Sequence, residues 1–169
     1  ETEGAVERII NSGGVELACD SILSNSSGSK VNTINSLTVL EKIIDNDNAN
    51  VNSLIDKGAN DAIVMAMKNS GTSLKGEEVQ IKSLAVCEKM IHGNDSAVSS
   101  IVEKGVIPLI LKNMENSTSK EVIQKSMQLL DTFTENSDSL KALQEEDNCV
   151  SKTVAVLNKH FDDDICREA

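Results

Sequence analysis

Ser100-Ile101-Val102-Glu103-Lys104-Gly105-Val106-Ile107-Pro108-Leu109-Ile110-Leu111 is the stretch that decides the fold. It reads as the end of one short helix, a glycine break, and the start of a second helix with proline in its first turn. Glycine supplies the left-handed backbone that a helix end often needs. Proline fits a first turn, where its missing N–H would be unpaired in any case. The phrase recurs upstream as Ser53-Leu54-Ile55-Asp56-Lys57-Gly58-Ala59 and as Arg8-Ile9-Ile10-Asn11-Ser12-Gly13-Gly14-Val15. A worn copy follows as Ala142-Leu143-Gln144-Glu145-Glu146-Asp147-Asn148. Gly13, Gly58, Gly105 and Asp147 stand 45, 47 and 42 residues apart. A period of forty-odd residues is the signature of a repeat.

The rest of the chain fits that period. Apolar residues fall at three- and four-residue spacing, the mark of helices, and strand alternation is rare. Ser/Asn/Gly/Lys clusters at 24–30, 69–78 and 116–120 read as loops. The spacing predicts helices near 15–23 and 31–44 in the first unit, and near 50–57, 60–68 and 77–91 in the second. The third unit takes 96–104, 107–115 and 120–134. The fourth has 139–145 and 149–160, with a third helix missing or only begun at 162–169. Residues 69–76 read as a long flexible loop and contact point. Second-helix positions align as Leu17, Ala62 and Leu109, and as Ile22, Met67 and Met114. Third-helix positions align as Leu37, Leu84 and Met127; as Leu40, Cys87 and Leu130; and as Ile44, Ile91 and Thr134. Rows that stay mostly apolar from unit to unit are expected to be core, buried only when units stack.

Composition narrows the function classes. The chain has 169 residues, enough for one domain with a real core. Its aromatics are two Phe, with no Trp or Tyr, so a stacking platform for nucleic-acid bases is missing. A net charge of −11 argues against non-specific nucleic-acid binding and favours solubility or a basic partner. No apolar run approaches the length of a membrane span. Cys19, Cys87, Cys149 and Cys166 are dispersed, with no C-x-x-C pair. They read as free thiols of a reducing compartment. A cytoplasmic protein is therefore expected, with a cytoskeletal or ciliary setting as the alternative.

A short helix, a Gly-x-Ile-Pro-x-Leu turn, a second helix and a long third helix resemble the armadillo repeat. Gly105-Val106-Ile107-Pro108-Leu109-Ile110 is close to the family phrase. Gly13-Gly14-Val15-Glu16-Leu17 keeps the glycines and carries Glu where Pro is usual. Gly58-Ala59-Asn60-Asp61-Ala62 keeps one glycine and lacks the proline. The resemblance covers nearly the whole chain, as units of about 1–47, 48–94, 95–136 and a partial 137–169. HEAT repeats are the nearest competitor, and the short extra helix before each glycine favours armadillo. The implied fold is an all-α, right-handed armadillo-type (ARM/HEAT-like) solenoid, expected to be an excerpt of a longer array. Its third helices would line a concave face where partner segments lie.

In importin-type members the third helix presents a Trp, and an Asn four residues later, to the groove. The matching pairs here are Leu37 with Glu41, Leu84 with Glu88, and Met127 with Asp131. The Trp/Asn ladder that clamps nuclear-localisation peptides is absent, and an acid replaces Asn each time. Glu41, Glu88 and Asp131 are thus expected to form a carboxylate ladder that favours Lys or Arg from a partner segment. Lys42 and Lys89 follow two of these acids and would partly neutralise them. The alternative is an ordinary solvated helix face, since fold alone licenses little about sites.

No catalytic, cofactor or metal site is expected. His92 sits at a helix end, where the dipole favours it, and no motif sets a nucleophile beside it. His160, Asp162–Asp164 and Cys166 lack a metal-ligand spacing, and the three aspartates lack the glycine and distal glutamate of a calcium loop. Gly71-Thr72-Ser73-Leu74-Lys75-Gly76 has phosphate-loop residue types in the wrong order. The expected function is a non-catalytic scaffold or adaptor that binds a protein segment, with a basic one favoured. Two alternatives remain: a structural part of a cytoskeletal or ciliary assembly, and a regulatory small-GTPase-binding domain of a larger protein.

Overall fold

Four residues in the left-handed backbone region mark the joints of the chain. Gly13 has φ 79°, Gly58 87° and Gly105 77°, and the fourth is Asn148 with φ 62°. Each immediately precedes the second helix of its unit. A left-handed residue ends one helix and redirects the chain, and glycine does so with no Cβ penalty. Asparagine is among the few other residues that tolerate it. The fourth joint is therefore Asn148 and not Asp147, one residue later than the sequence alignment had it.

The computed structural model describes residues 3–24 and 29–160. The predicted third helix of a fourth unit, the aspartate run 162–164, Phe161 and Cys166 lie outside the described residues. Among those described, the first unit holds α1 (Glu3–Asn11), α2 (Gly14–Leu23) and α3 (Lys30–Asn46). The second holds α4 (Val51–Asp56), α5 (Ala59–Asn69) and α6 (Leu74–Ile91), with a one-turn 3-10 helix at Asn48–Asn50 leading into α4. Then come α7 (Asp95–Glu103), α8 (Val106–Asn116) and α9 (Lys120–Thr134), followed by α10 (Ser137–Glu145) and α11 (Cys149–Lys159). No strand occurs among the described residues.

Side chains fix where these helices begin. Ser73 Oγ accepts from Gly76 N at 3.1 Å, and Ser119 Oγ from Val122 N at 3.5 Å. Asn94 Oδ1 accepts from Ala97 N at 3.0 Å, and Asn136 Oδ1 from Asp138 N at 3.0 Å and Ser139 N at 3.2 Å. Each supplies an acceptor to N–H groups the first helical turn leaves unpaired. The segment predicted as a loop over 69–76 is half helix. Only 70–73 intervene between α5 and α6, and Gln80 Nε2 donates to Gly71 O at 2.9 Å, tying the turn back. Gly76 is buried in the first turn of α6, where an added Cβ would stand 2.3 Å from Ser70 O and 2.6 Å from Gly71 O. No phosphate loop remains there.

Helices three places apart along the chain pack on one another. α2 meets α5, α5 meets α8 and α8 meets α11; α3 meets α6 and α6 meets α9; α4 meets α7 and α7 meets α10. The fold is repeat-like and all-helical. Side chains bridge successive units in the same register. Lys57 Nζ donates to Glu16 Oε1 at 2.5 Å, and Lys104 Nζ lies 2.7 Å from Asp61 Oδ1. The capping asparagines do likewise: Asn94 Nδ2 donates to Asn52 Oδ1 at 3.1 Å, and Asn136 Nδ2 to Asp95 Oδ1 at 2.8 Å.

The predicted core rows Ile22/Met67/Met114 and Leu40/Cys87/Leu130 are buried throughout. In the row Ile44/Ile91/Thr134, the first two are buried and Thr134 is exposed. The row Leu17/Ala62/Leu109 is buried only at Ala62, with Leu109 half-buried. Ala62 is fully buried against the stack, whereas Leu17 is 72% exposed. Of the exposed large apolar residues, Ile9, Leu17 and Val31 lie in the first unit; Leu140, Val150 and Val154 lie in the fourth; Leu74 alone stands in between.

Candidate functional site

The three third helices carry equivalent residues with unequal surroundings. Leu37 on α3 is fully buried and Leu84 on α6 is 3% exposed, so neither is available to a partner on an open face. α6 lies over α3 and α9 over α6, and each covers the row beneath it. Met127, the same position on α9, is only partly buried.

The acids are equally unequal. Glu41 is held by two lysines of α6: Lys82 Nζ donates to Oε2 at 2.8 Å and Lys89 Nζ to Oε1 at 3.0 Å. Lys89 also donates to Asp45 Oδ1 at 2.6 Å. Burial alone would raise the Glu41 pKa, but the two lysine hydrogen bonds outweigh it and hold the carboxyl below its ordinary value. The Asp45 hydrogen bond, aided by Glu41, raises Lys89 in turn. Glu41 is therefore closed into an inter-helix ion pair and is not a rung of an open ladder. Lys89, adjacent in sequence to Glu88, thus neutralises Glu41 and Asp45 of the neighbouring helix. Glu88 is half-buried, and Asp131 is exposed.

What the structure brings together instead is a groove of about 510 Å³ between α9, α10 and α11. Met127, Leu130 and Asp131 of α9, Leu140 and Leu143 of α10 and Val150 of α11 line it. Gln124, Gln128, Gln144, Thr134 and Thr153 interrupt the apolar lining. Its place in the stack is specific. α6 rests on α3 of the preceding unit and on α5 of its own; α9 rests likewise on α6 and α8. In the third-helix alignment, the groove-lining α9 residues Gln124, Met127, Leu130, Asp131 and Thr134 are the counterparts of Ile34, Leu37, Leu40, Glu41 and Ile44 on α3. Met127 and Asp131 were foreseen as site residues, whereas Leu140, Leu143 and Val150 were not. The signal available in the sequence was the apolar run of the fourth unit with no third helix aligned to cover it.

Nucleophile chemistry has little support at the thiols. Burial pushes Cys19 up to about 11, and burial likewise raises Cys87 and Cys149, the last of which lines the groove. The thiolate is the reactive form, so such thiols are poorly poised. His92 is exposed at the end of α6. Among the described residues no group of three His, Cys, Asp or Glu side chains could hold a metal ion, and no helix is long and apolar enough to cross a membrane.

The sequence matches no protein-family model, and no curated protein matches it.

Proposed function

We propose that this chain is a right-handed, armadillo-type helical-repeat solenoid that binds a partner protein without catalysing a reaction. Its contact is a helical segment laid in the groove between α9, α10 and α11. The observation that carries this reading is the groove's position at the seat that α6 occupies on α3 and α9 occupies on α6. An amphipathic helix laid into an apolar groove is a common mode of recognition. The lining supports exchange of the occupant over permanent cover. Where α3 and α6 present Ile44 and Ile91, both buried, α9 presents Thr134; where α3 presents buried Ile34, α9 presents Gln124. A mixed lining tolerates water when empty, as surfaces of non-obligate interfaces do. The concave third-helix face remains the natural path for the rest of the partner segment, with Glu88 and Asp131 as its acidic positions.

A photo-activatable side chain at Val150, which is 77% exposed, tests the reading. Adducts from position 150 should map to one helical segment of a partner and disappear when Leu143 is replaced by Arg. Adducts scattered over many sequences, or unaffected by that replacement, would sink it.

A further inference from the structure

The charge pattern of the groove's occupant goes beyond the helix-docking reading and rests on it. α6 closes on α3 through two lysines seven residues apart. Lys82 reaches Glu41 alone, whereas Lys89 reaches both Glu41 and Asp45. The later lysine thus meets the later acid, and α6 runs in the same direction as α3. Seven residues are close to two helical turns, so both lysines sit on one border of the apolar face. In the alignment that equates Leu37, Leu84 and Met127, Glu41 corresponds to Asp131 and Asp45 to Glu135. Asp131 and Glu135 are both exposed, and neither carboxylate has an ion-pair partner among the described residues.

We propose that the groove takes a helix of a second protein, parallel to α9, with two basic side chains seven residues apart set over Asp131 and Glu135. Its apolar stripe covers Met127, Leu143 and Val150. Two other occupants fit the charge poorly. Residues 161–169 carry four acids against Arg167 alone, which opposes Asp131 and Glu135. A second copy would bring another chain of net charge −11 to an acidic rim.

The probe is a helix-stapled, fluorescein-labelled peptide of residues 74–91, the α6 sequence that fills the equivalent seat on α3. Fluorescence anisotropy against the whole chain reads its binding. The expected result is saturable binding that weakens at least tenfold when the peptide carries Lys82→Glu and Lys89→Glu. The chain with Asp131→Lys and Glu135→Lys should reverse that preference and bind the glutamate peptide better. Gln144→Trp, at an exposed lining position, should fill the groove and abolish both. Equal binding of the two peptides, both blocked by Gln144→Trp, overturns the charge pattern and leaves helix docking standing. Failure of the unsubstituted peptide to bind overturns both. Light scattering that shows the chain dimerising, with the dimer lost in Gln144→Trp, overturns the proposed partner in favour of a second copy.

Discussion

At the scale of single residues, the joints carry the strongest expectations. Gly105 has φ 77° with nothing within 4 Å of an added Cβ, so a side chain there meets backbone strain and not a clash. Gly105→Val should cost about 1–2 kcal/mol, the penalty of a left-handed L-residue. For a chain of this size that lowers Tm by about 3–6 °C. Asn148 is the converse case. It holds the same conformation with a Cβ, so Asn148→Gly should leave Tm unchanged or raise it, and Asn148→Val should lower it. A calorimetric scan in which Gly105→Val melts with the wild type would remove the joint from the account. A second expectation concerns buried hydroxyls. Ser83 and Ser126 stand at equivalent positions of α6 and α9, both are fully buried, and both Oγ atoms lack a hydrogen-bond partner. An unpaired buried polar atom costs about 1 kcal/mol or more. Ser126→Ala should therefore stabilise the chain by about 1 kcal/mol, and a loss of stability in denaturant titration would show that the hydroxyl has a role we have missed.

At the scale of elements, the sequence made the helices readable but not their coverage. Every helix predicted within the described residues exists, and most boundaries fall within two residues of the predicted ones, because glycine joints and capping Ser or Asn are local signals. The exceptions have physical reasons. α6 starts earlier than predicted because Ser73 caps it and Gly76 fits against the preceding turn, contacts that a count of glycines reads as a loop. Leu17, Leu37 and Leu84 share a residue type, yet the first is exposed and the others are core. Only the neighbouring unit decides that, and a one-unit pattern does not contain it. Glu41 was legible as an acid on the right face, while its closure by Lys82 and Lys89 depended on how α6 sits over α3.

That closure makes a pH prediction for the α3–α6 seam. Glu41 has a depressed folded-state pKa, so its contribution is present above its ordinary carboxylate value and is lost as pH falls through the folded one. Glu41→Gln should cost about 1 kcal/mol at pH 7. The gap between wild type and Glu41→Gln should close below about pH 4. Lys89 is shifted the other way, so its share persists until strongly alkaline pH. Melting curves of the two proteins from pH 7 to pH 3 check this. A gap that widens on acidification would contradict the ion-pair assignment.

At the scale of the whole molecule, stacking both forms the core and defines the site. Leu37 and Leu84 are buried where α6 packs on α3 and α9 on α6, and Met127 is only partly buried, since no further third helix packs on α9 among the described residues. On the reading proposed above, the groove of about 510 Å³ is the next seat in that series. The most direct measurement is an NMR titration of the isotope-labelled chain with the peptide of residues 74–91. The account predicts shift changes centred on Met127, Asp131, Leu143 and Val150, with α1 and α2 unaffected. Changes confined to the first unit, or an unchanged groove in the presence of bound peptide, would contradict it.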